Sequence, residues 1–396
     1  MVASEEKIII KPTKIRYNPL MDIQKIYSQL ISQFPDIEIH QNHPLAPYTT
    51  VKIGGAADIF IHTKNSKDFI NVLKYLIGED NVFSARKPPK PSGEGASTVK
   101  NIIEPPKITI IGNGSNVLIS DTGIRGIVIK NSSTDFQILN TVSNSTKTNK
   151  TSTNRTENDP TKYLNFGVLD YDESDKPKVL VKINSGCNLP QIINQLIDQG
   201  ITGLQWFGFI PGSIGGAVFC NIHGGAYNFS NFVESVEVFD LKTSTSYELP
   251  ATELNWSYDF SSFQKNPNLI ILSVTLSLFK GDTAKAKETV VAWVKQKSAV
   301  QSMNSLGSVF KNPPLEICQK NWGEQKSTGW IIDIELKLKG HSIGDAQISP
   351  RHANFILNNG HSTAADYLAL IKLIQSQMQT KFNFQFELEI KLLGEF

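Results

Sequence analysis

Residues 203–227 read Gly-Leu-Gln-Trp-Phe-Gly-Phe-Ile-Pro-Gly-Ser-Ile-Gly-Gly-Ala-Val-Phe-Cys-Asn-Ile-His-Gly-Gly-Ala-Tyr, and they constrain the fold more than any other stretch. Gly203, Gly208, Gly212, Gly215, Gly216, Gly224 and Gly225 fall among Trp206, Phe207, Phe209, Ile210, Ile214, Val218 and Phe219. A flexible linker mixes glycine with Ser, Thr or charge, whereas these bulky neighbours predict a buried segment. Each glycine there costs about 0.5–1 kcal/mol of backbone entropy. The cost is kept where the chain turns sharply or where something large packs on the main chain. A flat cofactor lying against the backbone meets the second condition.

Around this stretch lies a chain of 396 residues, long enough for more than one core and of ordinary globular composition, with 40% hydrophobic and 19% charged residues. A net charge of +2 without a basic stripe argues against nucleic acid or a membrane surface as partner. The start, Met-Val-Ala-Ser-Glu-Glu-Lys-Ile-Ile-Ile, is acidic with a short apolar run, unlike a signal peptide. No segment approaches the ~20 apolar residues of a membrane helix. Cys187, Cys220 and Cys318 lack pair spacing, so neither disulfides nor a zinc or other metal site is expected. A reduced, cytoplasmic protein, monomeric, is the expectation.

Apolar spacing predicts helices over 21–34 and over 66–78, the latter behind a Ser66 cap, and a strand, Gly54–Gly55 turn and second strand over 51–62. Short apolar runs at 108–111, 117–119, 127–129 and 179–183 read as strands. Asn188-Leu-Pro opens a helix closing at Gly200. Residues 86–106 and 131–178 read as surface insertions, the second crowded with Ser, Thr, Asn and Lys. Its Asn-x-Ser/Thr triplets at Asn144, Asn149 and Asn154 follow from that composition. Helices are predicted over 284–300 and 364–382, the last with a Thr363–Asp366 capping box. Strict alternation from Phe384 to Leu392 predicts a final strand. The whole reads as a mixed α+β chain: an N-terminal helix and tail (1–39), a large lobe (40–296), a smaller lobe (297–383) and a terminal strand (384–396) returning to the first.

Four constellations bear chemistry. Gly112-Asn-Gly-Ser-Asn116, between two strands, is either an anion-binding nest of backbone amides or a tight ligand-free hairpin. Gly307-Ser-Val-Phe-Lys-Asn-Pro places the Ser308 hydroxyl beside Lys311 and Asn312, or is merely a polar turn after a helix ending near Met303. Residues 344–358 gather Gln347, Ser349, Arg351, His352 and Asn354 along a half-buried strand, with His352 read as a core group rather than a base. Glu389 falls by alternation on the polar face with Glu387 and Lys391, and nothing internal chooses among Glu387, Glu389 and Glu395. Together these point to a nucleotide-cofactor enzyme without fixing a reaction.

In order, these segments resemble the UDP-N-acetylenolpyruvoylglucosamine reductase (MurB) family. The resemblance runs from Pro44-Leu-Ala-Pro-Tyr-Thr-Thr-Val-Lys-Ile-Gly-Gly-Ala-Ala-Asp through Gly-Asn-Gly-Ser-Asn, Ile-Pro-Gly-Ser-Ile-Gly-Gly-Ala, Gly-Ser-Val-Phe-Lys-Asn-Pro and Gly-x-Ala-Gln-Ile-Ser-x-x-His-Ala-Asn-Phe-Ile. It ends at Leu388-Glu-Ile-Lys-x-x-Gly and looks like the shorter family type, without a Tyr-bearing insertion. It implies a two-part FAD-binding lobe of the vanillyl-alcohol-oxidase (PCMH) type and a C-terminal α+β substrate-binding domain. It also implies FAD and NADPH as cofactors and UDP-N-acetylglucosamine enolpyruvate as substrate. The FAD pyrophosphate would lie on Gly112, Asn113, Gly114, Ser115 and Asn116, and the flavin against Ile210, Pro211, Gly212, Ser213, Gly215, Gly216 and Ala217. Ser308 would protonate the carbon beside the substrate carboxylate, Glu389 would steady the enol-like intermediate, and Lys311 and Asn312 would meet substrate phosphate.

Two departures stand out. Where the family has Tyr-Arg-x-Ser, this chain has Tyr258-Asp259-Phe-Ser, which replaces a carboxylate-polarising arginine with an acid. Lys265 or Lys311 would then serve only as point charges, without the bidentate fork. His223-Gly-Gly-Ala-Tyr carries one residue more than the usual pattern, and His223 either lines the flavin pocket or takes part of the arginine's role. A PCMH-type oxidoreductase acting on another sugar or alcohol, and a non-catalytic flavin or nucleotide-sugar binder, are the alternatives.

Overall fold

The computed structural model describes residues 19–78, 107–142, 173–225, 227–299 and 301–396. The stretch 86–106 and the triplets at Asn144, Asn149 and Asn154 lie outside the described residues.

Helix ends follow local side-chain chemistry. The first helix spans Pro19–Gln33. The second, Ser66–Ile77, is capped by Asn65, whose side chain accepts from the Asp68 amide, so Ser66 is its first residue rather than its cap. Leu189–Asp198 starts from an Asn188 cap with Pro190 in its first turn, and Gly200 follows its end at φ +81°. The helix Thr283–Ser298 stops before its expected end. Ala364–Phe382 opens on the reciprocal Thr363–Asp366 capping box and closes on a left-handed Asn383.

A four-stranded sheet orders the strands Glu38–Pro44, Ala56–Thr63, Ile124–Asn131 and Ile108–Ile111. The first pair is antiparallel and the others are parallel. The strand expected at 51–53 does not form. Val51 and Ile53 instead leave the sheet and bury their side chains in the C-terminal core. The two N-terminal helices cover one sheet face with Ile26, Leu30, Phe69, Val72 and Leu73, a cluster that Phe239, Ile270 and Leu272 of the second sheet complete.

That second sheet is antiparallel, ordered Thr245–Pro250, Val233–Asp240, Leu269–Lys280, Lys178–Asn184 and Phe136–Val142, with Ile201–Thr202 also on the long strand. The Phe136–Val142 strand corrects the reading of 131–178 as an insertion throughout. Its apolar residues Phe136, Ile138, Leu139 and Val142 do not alternate, because the pairing register shifts between Ile138 and Asn140 and the edge position leaves Ile138 and Leu139 exposed. The helix Leu189–Asp198 and the short helix Ile214–Cys220 pack Ile192, Leu196, Ile214 and Val218 onto this sheet.

The C-terminal unit lays the helix Ala364–Phe382 over a three-stranded sheet of Ser342–Ile343, Ala346–Ile348 and Ile356–Asn358. The half-buried strand expected over 344–358 is thus a hairpin, with Ser349, fully buried, bonding the turn amides of Arg351 and His352. At the chain end only Lys391–Leu393 is strand, paired in parallel with Val117–Ile119. Phe386 and Ile390 are buried before it in the C-terminal core. Val117–Ile119 ties the lobes together by simple alternation: Leu118 faces the C-terminal core and Ile119 the first-lobe core.

Candidate active site

Three segments distant in sequence meet at the junction of the sheets. The first is Gly112–Asn116. The strand before it pairs in the four-stranded sheet and the strand after it pairs with Lys391–Leu393, so it is not a hairpin. A Cβ on Gly112 would stand 2.3 Å from Ser213 Oγ, and one on Gly114, at φ +59°, 2.1 Å from the Tyr48 carbonyl. Both positions therefore require glycine. The Thr50 amide donates to the Gly114 carbonyl and the half-buried Lys130 ammonium to that of Gly112, at 3.1 and 2.9 Å. Among the described residues, the amides of Asn113, Gly114 and Ser115 donate to no protein acceptor. Amides held this way form a cradle for an anion such as a pyrophosphate.

The second segment, Ile210–Ala217, lies directly against the first. Asn113 Nδ2 donates to the Gly212 carbonyl at 2.8 Å. Ser213, buried, caps the next helix by accepting from the Gly216 amide. Pro211 and Gly216 are exposed while Ser213, Ile214 and Ala217 are buried, so bare backbone faces outward from a packed support. A side chain at Gly216 would meet nothing closer than Ser213 Oγ at 3.5 Å. An open, flat backbone surface beside free amides fits a flavin dinucleotide: a ring system on one segment and a pyrophosphate on the other.

The third part carries side chains able to move protons. Residues 308–311 run against 387–389, with Glu389 N bonded to Val309 O at 2.9 Å and Lys311 N to Glu387 O at 3.0 Å. Asn354 clamps Phe310 from the other side, accepting from its amide and donating to its carbonyl at 3.1 and 2.8 Å. Ser308 is thereby fixed beside Gly307, which has a φ of +78° and open space where a side chain would stand. Asn116 closes the circle. Its Nδ2 reaches the Glu389 carbonyl at 3.4 Å and Cys220 Sγ at 3.5 Å, and its carbonyl accepts from the Lys391 amide.

The structure separates the acids that the sequence left equivalent. Glu387 is exposed and faces Lys311 at 3.5 Å. Glu389 is half-buried, so the expectation of a fully solvated edge residue does not hold. Its backbone leaves the strand geometry on which the alternation argument depends. Burial, and next the charge of Asp259, push its carboxyl well above the usual carboxylate range, while Lys311 and Lys391 pull the other way. Burial likewise pushes the Cys220 thiol up to about 11.

Asp259 is 7% exposed, at φ +50°, with Oδ1 3.1 Å from His223 Nδ1. Tyr258 stacks on the His223 ring at 5.2 Å. Of the expected substitute cations, Lys265 lies over the Phe260 ring and is exposed, whereas the Lys311 ammonium meets Glu387 at 3.5 Å. Lys391, which sequence reasoning placed on a solvated face, is the second cation of the site, with Nζ 2.8 Å from Gln264 Oε1. Asn312 Oδ1 accepts from the Thr328 amide, leaving its amino group as a donor. His352 is half-buried, so it is not the fully buried core group expected. Burial lowers its basicity, and its Nδ1 accepts from the Asn354 amide at 3.3 Å.

Comparison with known proteins bears on the same regions. The family model described as UDP-N-acetylenolpyruvoylglucosamine reductase, C-terminal domain, matches residues 296–393. A protein of Listeria monocytogenes serotype 4b named UDP-N-acetylenolpyruvoylglucosamine reductase is 30% identical over 372 residues, covering 93% of this chain and 99% of the relative. One of the same name from Prochlorococcus marinus is 30% identical over 354 residues, 88% of this chain and 95% of the relative. The crystal structure of UDP-N-acetylenolpyruvylglucosamine reductase (MurB) from Thermus caldophilus shares the fold, with a TM-score of 0.60 at 23% identity over 90% of this chain and 99% of that one.

Proposed function

The chain belongs to the UDP-N-acetylenolpyruvoylglucosamine reductase family, and we propose that it uses FAD and NADPH to reduce UDP-N-acetylglucosamine enolpyruvate to UDP-N-acetylmuramate, a cytoplasmic step of peptidoglycan synthesis. The observation that carries this reading is the meeting of Ser308 and Glu389 with both glycine-rich segments, through the bonds Glu389 N to Val309 O, Asn116 Nδ2 to Glu389 O and Asn113 Nδ2 to Gly212 O.

FAD, when bound, supplies a carrier that takes hydride from NADPH and yields it to the enolpyruvyl methylene carbon. The chain's own residues do the rest. The amides of Asn113, Gly114 and Ser115 receive the pyrophosphate, and Ile210–Ala217 supports the ring. Hydride addition next to a carboxylate builds negative charge on the neighbouring carbon and carboxyl oxygens, which must be stabilised and then quenched by a placed proton. Ser308 Oγ holds that proton. Glu389 lies beside the same strand segment and meets the developing charge. Lys311 and Asn312 supply donors for substrate phosphate, and Tyr258 with His223 walls the side where Asp259 stands in place of arginine.

Purified protein incubated with FAD should be yellow, and NADPH consumption should depend on UDP-N-acetylglucosamine enolpyruvate. A colourless protein without affinity for FAD would sink every flavin reading. A yellow protein whose NADPH oxidation ignores this substrate would redirect the chemistry to another sugar or alcohol.

A further inference from the structure

The first sheet sets a row of residues across its strands that ends at the anion cradle. Its register pairs Glu38 with His62, His62 with Lys130, and Lys130 with Ile111, the residue before Gly112. The row delivers the Lys130 ammonium to the Gly112 carbonyl at 2.9 Å, with the Tyr48 ring centroid 6.0 Å from Nζ. The acid of the row is out of reach. Glu38 stands two strands from Lys130, roughly 10 Å away, and its carboxylate is bonded to His62 at 3.1 Å. Among the described residues Lys130 forms no ion pair, and burial lowers its basicity with no acid to restore it. Gly112 takes one of the three ammonium N–H groups, which leaves two for another acceptor.

We propose that Lys130 is a positioning residue and countercharge for the diphosphate of the bound dinucleotide, fixing the Asn113 amide that receives it and supplying a positive charge that neither glycine-rich segment carries. The role rests on the reading of Gly112–Asn116 as the diphosphate cradle. The Gly112 carbonyl and the Asn113 N–H belong to one planar trans peptide and point in opposite directions. Holding that carbonyl therefore fixes the direction in which the Asn113 amide, which donates to no described acceptor, is presented. Backbone amides offer an anion only partial charges. Residues 112–116 and 210–217 contain no Lys, Arg or His, so the full charge comes from the neighbouring strand. A half-buried cation without a counterion is unfavourable, and a diphosphate within its field offsets part of that cost. The same ammonium thus shapes the cradle and favours what fills it.

Release of FAD from the holoenzyme, followed by the rise in flavin fluorescence on dilution, tests this without turnover. Lys130→Met keeps an apolar stem and removes the charge, and should release FAD about 10-fold faster than the wild type, the scale of one charge-assisted contact. Lys130→Arg, which keeps the charge, should stay close to the wild-type rate. Raising salt from about 0.05 to about 0.5 M should speed release from the wild type and from Lys130→Arg, and speed it less in Lys130→Met. Far-UV circular dichroism should show one fold in all three proteins. Release from folded Lys130→Met at the wild-type rate would overturn the role, as would Lys130→Arg releasing FAD as fast as Lys130→Met. The wild-type salt response tests the role even where Lys130→Met does not fold, and a flat response would contradict it. Wild-type protein that never binds FAD would instead sink the flavin reading, and this role with it.

Discussion

At the scale of single residues, the site depends on a few amide clamps rather than on the motif residues alone. Asn354 replaces a missing strand neighbour by bonding both the amide and the carbonyl of Phe310. Asn354→Ala leaves two buried backbone groups unpaired and should destabilise the fold by about 2–4 kcal/mol, at roughly 1–2 per group, measured by denaturant unfolding. The same variant should slow flavin reoxidation, because the segment carrying Ser308 loses its fixed position. Ser308→Ala should leave FAD reduction by NADPH nearly unchanged while slowing the second half-reaction by ~100-fold or more, the usual scale for a placed acid. Anaerobic stopped-flow absorbance resolves the two halves, and equal loss of both would contradict the role given to Ser308.

What the sequence discloses at this scale divides by mechanism. Gly112, Gly114, Ser308 and Lys311 were readable because each belongs to a short run of glycine and polar residues, although the groups they meet, such as Ser213, Tyr48 and Glu387, are distant in the chain. The position of Glu389 was not readable, since it depends on bonds to Val309 and Asn116, from two other segments. Asn116, Gln264 and Lys391 serve as linkers across such distances, and no local pattern marks an Asn or Gln for that work. Only the order of the motifs carried Glu389 into the site.

At the scale of elements, strong caps and periodicity gave the helices nearly to the residue, as at Ala364–Phe382. Thr363→Ala removes the half of the capping box in which the hydroxyl accepts from the Asp366 amide, leaves the backbone N–H of residue 363 donating to Asp366 Oδ2, and should lower stability by about 1 kcal/mol, read as a shift in denaturant midpoint without a change in slope. Strands were less legible. The alternation over 384–392 is real burial alternation at Phe386 and Ile390, but these residues pack against a helix and irregular chain instead of pairing in a sheet. The edge strand Phe136–Val142 had the opposite fault, pairing in a sheet while a register shift between Ile138 and Asn140 breaks the alternation that would announce it. Hydrophobic period reports burial, and it reports pairing only where the two coincide.

At the scale of the whole molecule, the lobes are joined where the site is built. Val51 and Ile53, from the chain entering the first lobe, lie in the C-terminal core, and the last strand returns to pair with Val117–Ile119. Acid should therefore loosen fold and site together. Burial lowers the basicity of His352, His43 and His62 from the ordinary value of 6.5. For such groups the unfolded chain binds protons more readily than the fold. Their contribution to stability is full above that value and falls as pH drops below it. Tm should accordingly decrease from neutral pH toward pH ~5, and in His352→Gln the decrease should be shallower.

The most direct test of the central claim follows atoms. The protein, FAD, NADPH and UDP-N-acetylglucosamine enolpyruvate are combined in deuterated water, and the product is read by mass spectrometry and NMR. UDP-N-acetylmuramate carrying deuterium on the carbon beside the carboxylate, with the methyl group formed by hydride from NADPH, is the predicted result. Unchanged substrate in the presence of flavin that NADPH has reduced would contradict it.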